Sequence, residues 1–282
     1  MLMFRNPDDT MENDFINAAK ANDLHRLNYL MNIEELQVPE LSLPQEYPVG
    51  TNARRQACYE AARHDHPEVL ALVYKRGVGL SDTCILVLLK EKRKRCIDVL
   101  LNLGWDIHWS LGHYGDPLSM SLKDLDMVHF LLSRGADPNK SWWWFPNMTV
   151  LELAARYEGI PVIEALIDAG AEWKNRHVLA EAAGNGNGRL DVVNYLLDRG
   201  APIDGIGTNP WLYDVEKQEF TVKDAVFRNA LCQAAYEGQA EVVQLLLERG
   251  ADPTIKDTDG RTAAELAEMR GHQACLELLN KL

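Results

Sequence analysis

The sequence predicts an all-α protein assembled from repeated helix pairs, on three observations. Segments beginning at Cys58, Leu151 and Leu231, "CYEAARHDHPEVLALVYKRGV", "LELAARYEGIPVIEALIDAGA" and "LCQAAYEGQAEVVQLLLERGA", share one shape. Each reads as a short helix with a paired alanine near its end, a tight turn, a second amphipathic helix, and then glycine followed by a small residue. The first residue of each alanine pair falls at Ala18, Ala61, Leu88, Ser121, Ala154, Ala182, Ala234 and Ala267, with gaps of 43, 27, 33, 33, 28, 52 and 33. A gap of 33 recurs three times, so one structural unit is being repeated with insertions and deletions. Finally, Gly77, Gly104, Gly135, Gly170, Gly200 and Gly250 close the second helices, where a left-handed backbone is cheapest for glycine.

The elements follow in chain order. Residues 1–12 read as an N-terminal tail, and "NDFINAAKANDLHRLNYL" from Asn13 as a cap over 13–31 with the polar outer face that a terminal unit needs. Residues 32–55 contain Pro39, Pro44 and Pro48 and read as an irregular insertion. Helix pairs are expected near 56–77, 83–104, 116–135, 149–170, 177–200, 229–250 and 262–282, with a second, longer insertion at 203–228. Small residues at the alanine pair let the first helix of a pair lie close to its neighbours. Apolar residues of the second helix, such as Val242, Val243, Leu245, Leu246 and Leu247, seal the next layer.

This pattern resembles the ankyrin repeat, whose units open on T-P-L-H-x-A and recur about every 33 residues. The resemblance covers residues 13–282, about eight helix pairs, and "GADPN" at Gly135 and "GADPT" at Gly250 start the turn towards a following unit as the family does. No unit keeps the whole opening. Threonine survives at Thr83, Thr149 and Thr262, while the histidine position holds Tyr59, Leu86, Ser119, Glu152, Ala180, Cys232 and Glu265. The resemblance implies an all-α, ankyrin-type α-solenoid. Its inter-repeat fingers and first helices would line a concave groove for partners.

Composition bounds the function. The chain has 282 residues, 46% hydrophobic and 25% charged, with a formal net charge of -13 and a pI near 5.1. Such a charge repels phosphate backbones and anionic lipid, so neither nucleic acid nor a membrane is the expected partner. The opposing feature, "KEKRKR" at 90–95, reads as a solvated helix end or turn in preference to a nuclear-localisation patch. Cys58, Cys84, Cys96, Cys232 and Cys275 are odd in number, far apart and never form C-x-x-C, which argues against a disulfide framework or zinc site. No signal-peptide stretch opens the chain and no run of about 18 uncharged apolar residues follows. A monomeric cytoplasmic protein is expected, with the nucleus as a second location, reduced cysteines, no cofactor and no metal.

Seven tryptophans, Trp105, Trp109, Trp142, Trp143, Trp144, Trp173 and Trp211, all follow the end of a second helix and precede the next first helix. Core tryptophans would be scattered through the helical pattern, so confinement to the fingers predicts a binding surface, with the packing of finger against finger as the alternative. With Tyr114, Phe145 and Tyr213 they are the candidate anchors for a protein or peptide, and the negative charge favours a basic one. In "KSWWWFPN" at 140–147 an extended backbone turns Trp142 and Trp144 one way and Trp143 the other. A rival reading is a small-molecule binder or enzyme using Asp106, His108, His113 and Asp116 beside those rings, since imidazole and carboxylate can serve as acid and base. Their spacing matches no specific catalytic or metal signature, so turn-forming and hydrogen-bonding roles are the preferred reading of these four residues. "GNGNGR" at 184–189 follows a helix and lacks a Walker lysine, so it reads as an expanded inter-helix turn.

Overall fold

The computed structural model describes residues 7–35, 51–111, 115–140, 148–173, 177–185, 189–206, 213–214, 219–220 and 228–281. The chain forms two compact units, Met1–Leu111 and Gly112–Leu282. In the first unit, α1 (Pro7–Lys20), α3 (Thr51–Arg63) and α5 (Asp82–Lys90) pack side by side as first helices. Behind them α2 (Leu24–Glu35), α4 (Pro67–Lys75) and α6 (Lys94–Asn102) form a second layer.

The second unit repeats this plan. Its first helices are α7 (Pro117–Met120), α9 (Val150–Tyr157), α11 (Val178–Ala183), α13 (Ala230–Glu237) and α15 (Ala263–Arg270). Its second helices are α8 (Leu125–Ser133), α10 (Ile160–Asp168), α12 (Leu190–Asp198), α14 (Ala240–Glu248) and α16 (Gln273–Leu279). Within each layer of a unit, every helix contacts the one before and the one after it.

The sequence marks predict the core. All eight positions of the alanine-pair series, from Ala18 to Ala267, are buried. Second helices bury apolar residues in one spacing: Val69, Leu70 and Val73; Ile97 and Leu100 after Cys96; Met127, Val128 and Leu131; Val162, Ile163 and Leu166; Val192, Val193 and Leu196; Val242, Val243 and Leu246. That i, i+1, i+4 stripe is one face of a helix turned inward. The six second-helix glycines all adopt positive φ, between 81 and 94°.

Three expectations need correction. The first helix begins at Pro7 and not after a tail over 1–12, since proline is preorganised for a first helical position. Helix α3 begins at Thr51, inside the stretch assigned to the 32–55 insertion, because Ala53 and Ala57, one turn apart, give it a buried face. In α5 the cap is Ser81, whose hydroxyl accepts from the Cys84 N–H at 3.2 Å, so Thr83 lies within the helix. Inside 203–228 a short antiparallel pair joins β1 (Tyr213–Asp214) to β2 (Glu219–Phe220), with Tyr213 opposite Phe220. The remainder of that insertion from 207 to 227, residues 36–50 and "KSWWWFPN" from 141 on lie outside the described residues.

Candidate functional site

The finger after α6 holds the predicted residues of the first unit. Gly104 turns the chain at φ 88°, and the Trp105 N–H closes back on the Leu100 carbonyl at 3.0 Å, satisfying an orphan acceptor of the helix end. This turn aims Trp105 inward: it is 5% exposed, with Ile107 and Leu111 also buried. Its indole N–H has no hydrogen-bond acceptor among the described residues. Four residues on, Trp109 is 44% exposed, and its Nε1 donates to Asp82 Oδ1 at 3.4 Å in the first turn of α5. The two rings of one finger therefore have opposite roles, one filling the core and one covering the surface.

Asp106 and His108 form a turn. The Asp106 carboxylate accepts from the His108 N–H at 2.9 Å, its carbonyl accepts from the Trp109 N–H at 3.0 Å, and His108 Nδ1 lies 3.3 Å from Asp106 Oδ1. Asp137 and Asp252 do the same in their own fingers, accepting from the Asn139 N–H and the Thr254 N–H, each at 2.8 Å. The hydrogen bonds to Thr254 hold the Asp252 carboxyl below its usual range. An aspartate two residues past the glycine is thus a recurring turn-former, in an Asx turn. Asp116 is buried as the N-cap of α7: it accepts from the Ser119 N–H at 2.9 Å while Ser119 Oγ receives the Asp116 N–H. Among the described residues no group of three or more His, Cys, Asp and Glu is placed to hold a metal.

Trp173 is half-buried in the second unit, next to Glu172, whose N–H donates to Asn139 Oδ1 at 2.7 Å. Asn139 Nδ2 also donates to the Gly170 carbonyl at 3.0 Å, and Asp204 repeats the link by accepting from the Asp252 N–H at 2.9 Å. Both linkers stand four residues past a second-helix glycine, a regularity that the spacing of the sequence carries. They tie one finger to the next. His113, Tyr114, Trp142, Trp143, Trp144, Phe145 and Trp211 lie outside the described residues, and Tyr213 is placed only as backbone in β1.

The first-helix ends add large side chains that the tryptophan pattern does not flag. Tyr157 is 58% and Met269 53% exposed, and the Tyr236 ring lies 3.9 Å from the Arg228 guanidinium and 4.7 Å from that of Arg270. All three stand two or three residues after an alanine mark, so their placement follows from the repeat frame once the helix is taken to end there.

Stacked helix pairs, glycine-closed second helices and hydrogen-bonded fingers define an α-solenoid of the repeat class. The family model for ankyrin repeats in three copies matches residues 117–205, and that for ankyrin repeats in many copies matches residues 226–267. The protein is an ankyrin-repeat protein. It is 39% identical to human espin-like protein over 22% of this chain and 6% of that one. Identity is 30% to ankyrin repeat protein nuc-2 of Neurospora crassa over 65% of this chain and 16% of the relative. It is 28% to ankyrin repeat and KH domain-containing protein mask-1 of Caenorhabditis elegans over 80% and 10%. The matches thus span at most 16% of the length of these relatives. Among the described residues no helix is long and apolar enough to cross a membrane.

Proposed function

We propose that the chain is a non-catalytic, monomeric binding scaffold of the cytoplasm and nucleus that takes a protein or peptide on its finger edge. Ankyrin repeats are an architecture for protein interaction, and the observation that carries the finer reading is Trp109. A tryptophan of a finger is 44% exposed in water while its neighbour Trp105 is buried, so the finger is not merely filling a core. A basic partner fits the net charge of -13 and the exposed acids Asp106, Asp137, Glu172 and Asp252, each two residues past a second-helix glycine. Asp106 and His108 shape a turn and Asp116 caps α7, which gives structural roles to three of the four residues named for the enzymatic alternative.

The test replaces Trp109, Trp142, Trp143 and Trp144 singly by alanine and measures binding of proteins captured from the native cell alongside melting temperature. At least one variant is expected to lose about 30- to 1,000-fold in affinity, the range of a 2–4 kcal/mol hot spot, at an unchanged melting temperature. Early melting of all four with normal binding by the folded fraction would leave the rings a purely structural role.

A further inference from the structure

The basic run at 90–95 is not an extended tail but a helix–turn–helix corner. Lys90 ends α5, Glu91, Lys92 and Arg93 form the turn with Lys92 at φ 54°, and Lys94 and Arg95 begin α6. The Arg93 guanidinium crosses to the preceding corner and donates to the Arg63 carbonyl at 2.8 Å. One repeat earlier, His66 Nε2 lies 3.0 Å from the Lys20 carbonyl, so its N–H donates there in the same way. Three successive corners are thereby laced together. Each carries a cation at the same place, two residues after its alanine mark: Lys20, Arg63 and Lys90, all exposed. Lys20 lies 3.7 Å from Glu60, whereas Arg63 and Lys90 have no carboxylate partner among the described residues. Further along the corner, Arg95 approaches Glu68 at 3.9 Å. Met1–Leu111 holds 13 Lys and Arg against 16 Asp and Glu, and five of those cations fall within 90–95; Gly112–Leu282 holds 16 against 26. Five of the first unit's 13 cations thus fall within a single corner.

We infer that the inter-helix corner edge of the first unit, with Lys20, Arg63 and Lys90 as its row and Lys92 and Arg95 flanking, is a docking surface for an acidic segment of a partner protein. Adjacent helices pack about 8–10 Å apart, so the row repeats at roughly that interval. An extended chain advances about 3.3 Å per residue, so acids at every third position meet successive cations. An anchored corner is preorganised to receive such a strand. A receptor that reads the basic run as an unfolded peptide would instead have to break the Arg93 tie and expose buried Cys96.

The probe is a labelled peptide of about 12 residues with glutamate at every third position and glycine or serine between, titrated by fluorescence anisotropy into the full chain at low salt. A peptide of the same composition with its glutamates contiguous, duplex DNA and vesicles of anionic lipid are compared with it. The spaced peptide should bind most tightly, weaken with salt, and bind at least fivefold less well to the double variant Arg63→Glu, Lys90→Glu. The charge-conserving variant Arg63→Lys, Lys90→Arg should retain it. Both side chains are exposed, so an unchanged helical far-ultraviolet spectrum is the folding control. Equal binding by wild type and the charge-reversed variant overturns the inference, as does preference for DNA, vesicles or the contiguous peptide.

Discussion

Trp105 and Trp109 differ by four positions in the sequence and by almost everything physical. The tight closure of Gly104 and Trp105 on Leu100 commits the first ring to the core, and the Asp106 turn then carries the second outward. Burying an indole N–H without an acceptor costs about 1–3 kcal/mol, which the apolar area of the ring must offset. Trp105→Phe removes that donor and keeps most of the area, so it should be neutral or stabilising, whereas Trp105→Ala should cost about 3–5 kcal/mol in urea unfolding. A Phe variant as unstable as the Ala variant would mean that the N–H is satisfied. The buried thiols make a second prediction. Burial pushes Cys58 up to about 12 from its ordinary value near 9, and Cys232 likewise to about 12. An unfolded chain releases those protons near pH 8.5–9 while the folded chain holds them, so the native state binds more protons in between. Their contribution is intact below about pH 9 and declines as pH rises towards 12, at about 1.4 kcal/mol per pH unit for each thiol. Cys58→Ala should flatten the fall of stability between pH 9.5 and 11 by about that slope; identical slopes would refute the assignment.

At the scale of the element, the repeat is held by its caps. Glu152, 2% exposed, accepts from the Thr149 N–H at 2.7 Å and its hydroxyl at 3.1 Å, and then from the His177 N–H at 3.0 Å at the start of the next first helix. One carboxylate therefore caps α9 and positions α11. Glu152→Ala should cost about 2–4 kcal/mol, since it leaves buried donors unpaired. The same box in α15, Thr262 with Glu265, is exposed to water and should lose much less. Comparable losses at the two sites in thermal unfolding would show that the inter-repeat bond contributes nothing. The repeat frame shows Glu152 and Glu265 only as departures from the family's histidine, so their part in the caps emerges from the structure. The marks Ala18 to Ala267, in contrast, are legible in the sequence because close helix packing demands small or apolar side chains there. It did not reveal Ser81 as the cap of α5, since Ser and Thr two residues apart are equivalent to a pattern and differ only in backbone angle. For Asp106 and His108 it pointed to a turn role, since their spacing fits no catalytic signature, but the pairing of Asp106 with the His108 N–H and its likeness to Asp137 and Asp252 show only in the structure. The corner ties were half visible. His66 and His272 sit where the family often has histidine, but their bonds to the carbonyls of Lys20 and Tyr236 reach across 46 and 36 residues.

Within each unit, stability is local in one dimension, because within a layer each helix packs against its immediate neighbours. A ladder of arginines reinforces that coupling on the second helices. Arg76 donates to Asn28 and Asn32, Arg199 to Glu164, and Arg249 to Asn194 and Asp198, each reaching back one repeat from the residue before the helix-closing glycine. Such exposed pairs are individually worth about 0–1 kcal/mol, so they set register more than they supply stability. The apolar stripe behind them contributes more. Leu246 in α14 is fully buried, and α14 packs against α12, α13 and α16. Leu246→Ala should cost about 2–5 kcal/mol, through the apolar atoms lost and the cavity they leave. In a globular core that loss would be spread over the whole unit. In a stack it is felt by the repeat that contains the cavity and the interfaces on either side. Amide hydrogen exchange should therefore accelerate first in α13–α16, with α8, α9 and α10 keeping most of their protection. A uniform rise in exchange across Gly112–Leu282 would mean that the unit unfolds as one cooperative block, and that the nearest-neighbour description fails for it.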